Sequence, residues 1–232
     1  MNALNLSKRL EKVASFVPQG AILADIGSDH AYLPCYLVHK GMIQKAIAGE
    51  VVKGPYESAL NKVKEEGLEK QITVRLADGL EAIEESDEVD TVTIAGMGGP
   101  LIVSILENSP EKLKSLSRLI LQPNIHARVI RRWALENDWA IVEEAIIEED
   151  EKIYEIIVLE RGKMTLTEAE KLMGKYLINE KSDVLMKKWT REVQHWKKVL
   201  SSLEKAESTL DIIEKRKELL HNIALVEEVL GE

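Results

Sequence analysis

Cysteine is nearly missing from this chain. Cys35 stands alone among 232 residues, which excludes an intrachain disulfide and a cysteine metal cluster. No apolar run is long enough to span a bilayer. The opening segment Met1-Asn2-Ala3-Leu4-Asn5-Leu6-Ser7-Lys8-Arg9-Leu10 lacks the basic-then-apolar plan of a secretory signal. Basic side chains are outnumbered 31 to 40, giving a net charge of −9, and a bulk charge of that sign argues against a general nucleic-acid binder. There is no Ser-His-Asp order, no phosphate-binding P-loop and no metal-ligand spacing, so hydrolase and kinase chemistry have no support and no metal is expected. These absences imply a soluble cytoplasmic protein without a membrane partner.

What is present is concentrated in Ala21-Ile22-Leu23-Ala24-Asp25-Ile26-Gly27-Ser28-Asp29-His30-Ala31-Tyr32-Leu33-Pro34. An apolar run ends in an acid, turns on a glycine and enters a helix, as the nucleotide site of a doubly wound α/β fold begins. The spacing departs from G-x-G-x-x-G, because Asp29 and Ala31 stand at the later glycine positions. A pyrophosphate beside Asp29 would be repelled. A phosphate-free cationic cofactor would not, and S-adenosylmethionine (AdoMet), with its ammonium and sulfonium, fits that reversal of sign.

Along the chain, residues 3–17 read as an amphipathic helix with Leu6, Leu10, Val13 and Val17 on one face. Strands are expected over 21–27, 45–50, 72–77, 90–95, 118–123, 139–147 and 152–160. Helices are expected over 31–40, 53–66, 79–85, 99–107 and 126–137, with Gly41 and Gly67 at helix ends. Such alternation means a Rossmann-like, mostly parallel sheet. The last two strands, joined only by Glu149-Asp150-Glu151-Lys152, require a hairpin and hence an antiparallel edge. Seven strands ending this way match the class I AdoMet-dependent methyltransferase order 3-2-1-4-5-7-6.

After Gly162 the strand signal stops, which divides the chain into an AdoMet-binding domain, 1–162, and a helical coiled-coil domain, 163–232. Helices are expected over 165–179, 182–207 and 209–230. Trp189, Val193, Trp196, Leu200 and Leu203 form a coiled-coil seam, and a second apolar stripe runs from Ile212 to Val226, so an antiparallel hairpin joined near Ser208 is expected. Residues 171–198 hold eight basic side chains against three acidic ones, either a phosphate-binding face or a solvated helix surface.

Several residues carry candidate chemistry. Asp25, Gly27, Ser28 and His30 lie on the first turn. Glu50, with Val51 beside it, ends the second strand about 20 residues past that turn, where an acid accepts both ribose hydroxyls. Asp78 and Gly79 end the third strand; Asp78 either accepts from the adenine amine or caps a helix. Ala95-Gly96-Met97-Gly98-Gly99-Pro100 follows the fourth strand, where glycines let a ligand approach bare backbone. After the fifth strand, Gln122 and Asn124 suit a base edge, while Asn124 equally suits a helix cap. His126, Arg128, Arg131 and Arg132 follow, as phosphate contacts or a solvated face. Lys8 and Arg9 are of the same kind. His30 is either a general base or a packing group.

Together Asp25-Ile26-Gly27-Ser28-Asp29-His30-Ala31-Tyr32-Leu33-Pro34, Ala95-Gly96-Met97-Gly98-Gly99 and Leu121-Gln122-Pro123-Asn124 resemble the bacterial tRNA (adenine-22) N1-methyltransferase family, TrmK, over the whole chain. The resemblance implies AdoMet as methyl donor, tRNA as substrate and adenine N1 as acceptor. Taken with the residue readings above, Asp25, Gly27, Ser28, His30, Glu50, Val51, Asp78, Gly79, Ala95, Gly96, Met97 and Gly98 are the candidates around AdoMet. Asp29, Gln122 and Asn124 are then the catalytic candidates, and Lys8, Arg9, Arg128, Arg131, Lys187, Lys188 and Arg191 the tRNA contacts. No obligate protein partner is inferred.

Overall fold

The computed structural model describes residues 2–204 and 209–231. It divides into two compact units after Met164. The first runs α1 (Lys8–Ala14), β1 (Ile22–Ile26), α2 (Tyr32–His39), β2 (Lys45–Glu50), α3 (Lys53–Glu65), β3 (Ile72–Leu76), β4 (Thr91–Gly98), α4 (Gly99–Asn108), α5 (Pro110–Leu113), β5 (Arg118–Ile125), α6 (Ala127–Glu136), β6 (Trp139–Glu149) and β7 (Lys152–Arg161).

The seven strands form one sheet in the order β3-β2-β1-β4-β5-β7-β6. Pairing is parallel from β3 through β5 and antiparallel across β5–β7 and β6–β7. The central strands are short and apolar because both faces are covered: Leu23, Ala24, Val92, Ile94, Leu119, Ile120 and Leu121 are all buried. Cys35, on α2, is buried as well. Asp150 and Glu151 both take left-handed φ values, 49° and 62°, the geometry that a two-residue hairpin turn requires.

Local details depart from the sequence expectations for physical reasons. The N-terminal helix is only α1, because the Ser7 side chain caps it by accepting from the Leu10 N–H. No α-helix spans 79–85; two 3-10 turns, Gly79–Ala82 and Glu85–Asp87, stand there instead. Arg75 gathers this segment by donating to the Ala82 carbonyl at 2.7 Å and to Asp87 at 2.8 Å. β4 and β5 run on to Gly98 and Ile125, with register shifts around Met97.

The regular elements among the described residues of the second unit are all helices. The single helix expected over 165–179 is broken at Gly174 (φ 97°) into α7 (Glu168–Met173) and α8 (Lys175–Glu180). Thr167 and Glu170 form a reciprocal capping box on α7. α9 (Asp183–Leu203) and α10 (Leu210–Leu230) follow. Ion pairs Lys197–Glu227 and Arg216–Glu204, at 2.7 and 3.9 Å, fix these two helices as antiparallel. Of the seam, Trp189 and Val193 are buried, and Trp189 packs 6.0 Å from Trp196. The end of the expected helix at 207 and the join near Ser208 lie outside the described residues.

Candidate functional site

The strand order reverses between β1 and β4, so the carboxyl ends of β1, β2, β3, β4 and β5 border a crevice of the kind that binds ligands in open α/β sheets. Asp25 lies in β1, Glu50 ends β2 and Asp78 follows β3, and these strands are neighbours. The three acids of the sequence motifs therefore stand at adjacent sheet edges.

The turn after β1 is under strain. Gly27 has φ 68°, and Asp29, His30 and Ala31 are also left-handed, at 39°, 41° and 53°. Non-glycine residues in that region cost on the order of 1–2 kcal/mol each. Hydrogen bonds from neighbouring groups hold them: the Gly27 and Ser28 N–H groups donate to the Gly49 carbonyl at 2.9 and 3.3 Å, and the Asp29 N–H donates to Glu50 Oε1. Ser28 Oγ donates to Asp25 Oδ2 at 2.5 Å and Thr93 Oγ1 to Asp25 Oδ1 at 2.6 Å. Asp25 is thus buried as the brace of the turn. Burial pushes its carboxyl up, against the opposing effects of the two hydroxyls and Arg9. Glu50, 6 % exposed, is also raised. Burial is the largest cause, the Asp29 N–H opposes it, and the negative charges of Asp25 and Asp29 add to it.

Asp29 itself is exposed, its carboxylate 3.5 Å from His30 Nε2, and the His30 ring stacks on Tyr32 at 5.3 Å. Asp78 and Val51 are exposed at the rim. Asp78 makes no side-chain cap to the 3-10 turn that begins at Gly79.

At the ends of β4 and β5, next to β1 in the sheet, lies a ring of amides. The Gly96 N–H donates to Gln122 Oε1 at 2.9 Å, Gln122 Nε2 donates to Asn124 Oδ1 at 3.3 Å, and Asn124 Nδ2 donates back to the Gly96 carbonyl at 2.7 Å. Arg9 also donates to Gln122 Oε1. Gly96 N–H and Arg9 are donors only, so the atom facing them must be the oxygen, and the sense of both carboxamides follows. Asn124 does not cap α6, whose N-cap position is His126.

The glycines after β4 serve packing as much as access. Met97 reaches over Gly27, its methyl 2.1 Å from where a Cβ would stand. At Gly99 that space is filled by the His126 carbonyl oxygen, at 2.4 Å. Gly98 faces Ile125 and Pro100, and Ala95 pairs with Gln122.

The basic candidates fall in different environments. Arg131 is a correction to the sequence reading: it is not a tRNA contact, because its side chain is 0 % exposed between Glu144 and Glu155. Arg9 is partly buried and lies 5.5 Å from the Tyr154 ring centre. α1 is held there by Glu149, whose carboxylate accepts from the Lys8 and Arg9 N–H groups at 2.6 and 3.3 Å. The Lys8 side chain is exposed and Arg128 half-buried. In the helical unit, Lys187 and Arg191 are exposed, and Lys188 lies over the Trp189 ring at 5.0 Å.

Sequence reasoning missed Thr93, Glu149 and Tyr154. Thr93 had a signal, a hydroxyl in the otherwise apolar Thr91-Val92-Thr93-Ile94-Ala95. Glu149 and Tyr154 had none.

Acids at the carboxyl ends of the neighbouring strands β1, β2 and β3 suit a nucleoside that brings hydroxyl donors and positive charge. With the 3-2-1-4-5-7-6 sheet, they define a class I AdoMet-dependent methyltransferase. Residues 23–228 match the profile of the TrmK family, tRNA (adenine(22)-N(1))-methyltransferase. The chain belongs to that family. It is 47% identical to the tRNA (adenine(22)-N(1))-methyltransferase of Bacillus subtilis, covering 99% of both chains. It is also similar to the crystal structure of a putative tRNA (m1A22) methyltransferase from Streptococcus pneumoniae in complex with AdoMet, with 50% identity, a TM-score of 0.84, and 97% and 100% of the two chains covered. The TrmK structure from M. capricolum with S-adenosylhomocysteine is 30% identical, with a TM-score of 0.86 and 97% and 98% covered.

Proposed function

We propose that this chain methylates N1 of adenine 22 in tRNA, with AdoMet as donor. The observation that carries this reading is the pairing of two sides of one crevice: acids on β1 and β2, and the amide ring built on Gly96, Gln122 and Asn124. When bound, AdoMet supplies the methyl group that leaves its sulfonium for N1, and the positive charge passes to the adenine. Adenine N1 carries an in-plane lone pair, so the chain has no need of a strong base, and its work is alignment and exclusion of water.

In this reading Glu50 accepts the ribose hydroxyls, Asp78 the adenine amine of the cofactor, and Val51 and Met97 supply apolar lining. Gly27, Ser28, His30, Gly79, Ala95, Gly96 and Gly98 shape the cofactor side. Asp25 acts through the turn it braces. Asn124 presents Oδ1 to the exocyclic amine of the target base, Gln122 fixes Asn124, and exposed Asp29 favours the charged product. Lys8, Arg128, Lys187, Lys188 and Arg191 supply phosphate contacts, against the net charge of the whole molecule. No helix among the described residues is long and apolar enough to cross a membrane. As a tRNA-modifying enzyme, the protein is proposed to work in the cytoplasm with its substrate.

The deciding experiment transfers labelled methyl from AdoMet to a tRNA transcript and maps the product. A22 is expected to carry the label, and a transcript with guanine at position 22 to carry none. Label elsewhere in the tRNA, or on no tRNA, overturns the reading.

Two further results are expected at the cofactor side. Glu50→Ala should weaken AdoMet binding by about 1–3 kcal/mol in calorimetry, and unchanged affinity would remove Glu50 from the ribose. The second concerns pH. Hydroxyl donors and a cation favour the ionised form of Glu50, whereas the free crevice holds its pKa raised. The complex therefore binds fewer protons than the free protein. AdoMet affinity should rise with pH as free Glu50 ionises, above the ordinary carboxylate range, and then level. Affinity that falls over that window would contradict the assignment.

A further inference from the structure

The pairing of β5 with β7 stops at Leu121↔Ile157, while β5 continues to Ile125 in register with β4 through Met97↔Pro123 and Gly98↔Ile125. The two strands therefore part company. Continuing their antiparallel register would set Asn124 opposite Tyr154, and the structure has a cleft of about 350 Å³ lined by Asn124, Lys152, Ile153 and Tyr154.

We propose that this cleft is the seat of the target nucleotide, formed by the divergence of β5 from β7. The proposal rests on the methyl-transfer reading above and assigns the acceptor side of that site. The lining has the chemistry of a nucleotide. Asn124 meets a base edge, and its carboxamide is held in one sense by Gln122 and the Gly96 carbonyl. Tyr154 and Ile153 give an aromatic and an aliphatic flank for the base. Lys152, exposed at the hairpin mouth, meets a phosphate as a point charge. The cleft also abuts the donor side, since Asn124 belongs both to its wall and to the ring that closes on Gly96.

Tyr154 stands on β7 with a cation beside its ring before any nucleotide arrives. Arg9 lies 5.5 Å from its ring centre and donates to Gln122. Glu149 holds the start of α1 on the same hairpin. A ring carried on a sheet strand with a cation beside it loses less freedom when a base packs on it than one on a free loop. N1 lies on the pairing edge of adenine, so the base must leave its stack to be methylated, and an aromatic flank replaces the stacking it gives up.

The test compares Tyr154→Ala with Tyr154→Phe in the full chain, using A22 tRNA. The wild-type product is mapped first, so that failure of the methyl-transfer reading shows before any variant is made. Tyr154→Ala is expected to lower kcat/KM for tRNA by about 5- to 150-fold, the size of one lost base–aromatic stack. Tyr154→Phe should stay within about twofold, and AdoMet affinity should be unchanged in both. Should the alanine variant lose AdoMet affinity through misfolding, Tyr154→Leu, which keeps bulk without a ring, replaces it in the comparison. Unchanged kcat/KM without the ring overturns the proposal, as does a phenylalanine variant as impaired as the alanine one. Lys152→Ala should reduce the salt dependence of tRNA KM by about one phosphate contact, a slope change of roughly 0.7–0.9. An unchanged slope removes Lys152 from the site.

Discussion

Replacing Arg131 by alanine is expected to remove about 3–5 kcal/mol of folding stability, because it strands two buried carboxylates without their shared cation. Arg131 Nε donates to Glu144 at 2.7 Å and its terminal nitrogen to Glu155 at 2.5 Å. Burial alone would lower the guanidinium pKa, and the two carboxylates outweigh it, so it stays raised. In the variant the two acids face each other in the interior, and the folded state must keep a proton on at least one of them. The loss should therefore be smallest at acid pH and grow as pH rises through and above the ordinary carboxylate range. Urea titrations of parent and variant at two pH values measure this. A variant as stable as its parent, or a gap that narrows with rising pH, would refute the buried triad. AdoMet affinity of the folded fraction should match the parent, since Arg131 has no atom at the surface.

The second large effect is expected at Gly99, and it joins packing to catalysis. A Cβ there would stand 2.4 Å from the His126 carbonyl oxygen and 3.1 Å from that of Ile125. Both obstacles are backbone, so Gly99→Ala must push the link between β5 and α6 outward, at about 1–3 kcal/mol. Asn124 immediately precedes that link and would move with it. A shift of about 1 Å in a group that aligns the reacting atoms costs on the order of 100-fold in turnover. The expected result is a kcat for tRNA methylation reduced by that factor, with AdoMet affinity close to the parent. Parental turnover would mean that the link yields without carrying Asn124.

The sheet was legible in the sequence because each of its determinants is local. Short apolar runs, acids at their ends and glycines at helix stops give the strand count, and the closing hairpin matches it to the strand order of class I methyltransferases. Gly41 and Gly67, left-handed at 66° and 69°, follow the ends of α2 and α3 as expected. What escaped was set by partners distant in the chain. The segment 79–85 has helical composition, yet Arg75 ties it down as turns. Arg131 reads as one more cation on an amphipathic helix, and only the meeting of α6 with β6 and β7 shows that it is interior. Arg9 has the same character: nothing near it in sequence announces Gln122, 113 residues away. Asp25 and Asp78 carry their own context, a strand before and a glycine after, and Glu50 closes its strand just past Gly49. The acceptor side depends on two strands separating, which no periodicity encodes.

Burial of Cys35 leaves the molecule chemically quiet toward thiol reagents. Its sulfhydryl is pushed up to about 12, by burial first and by Glu66 second, which keeps it a buried thiol at neutral pH. The natural protein thus offers a silent background for site-directed labelling. A single cysteine introduced on the exposed face of α9 or at the β6–β7 hairpin would take a fluorophore alone, with no need to remove the native one.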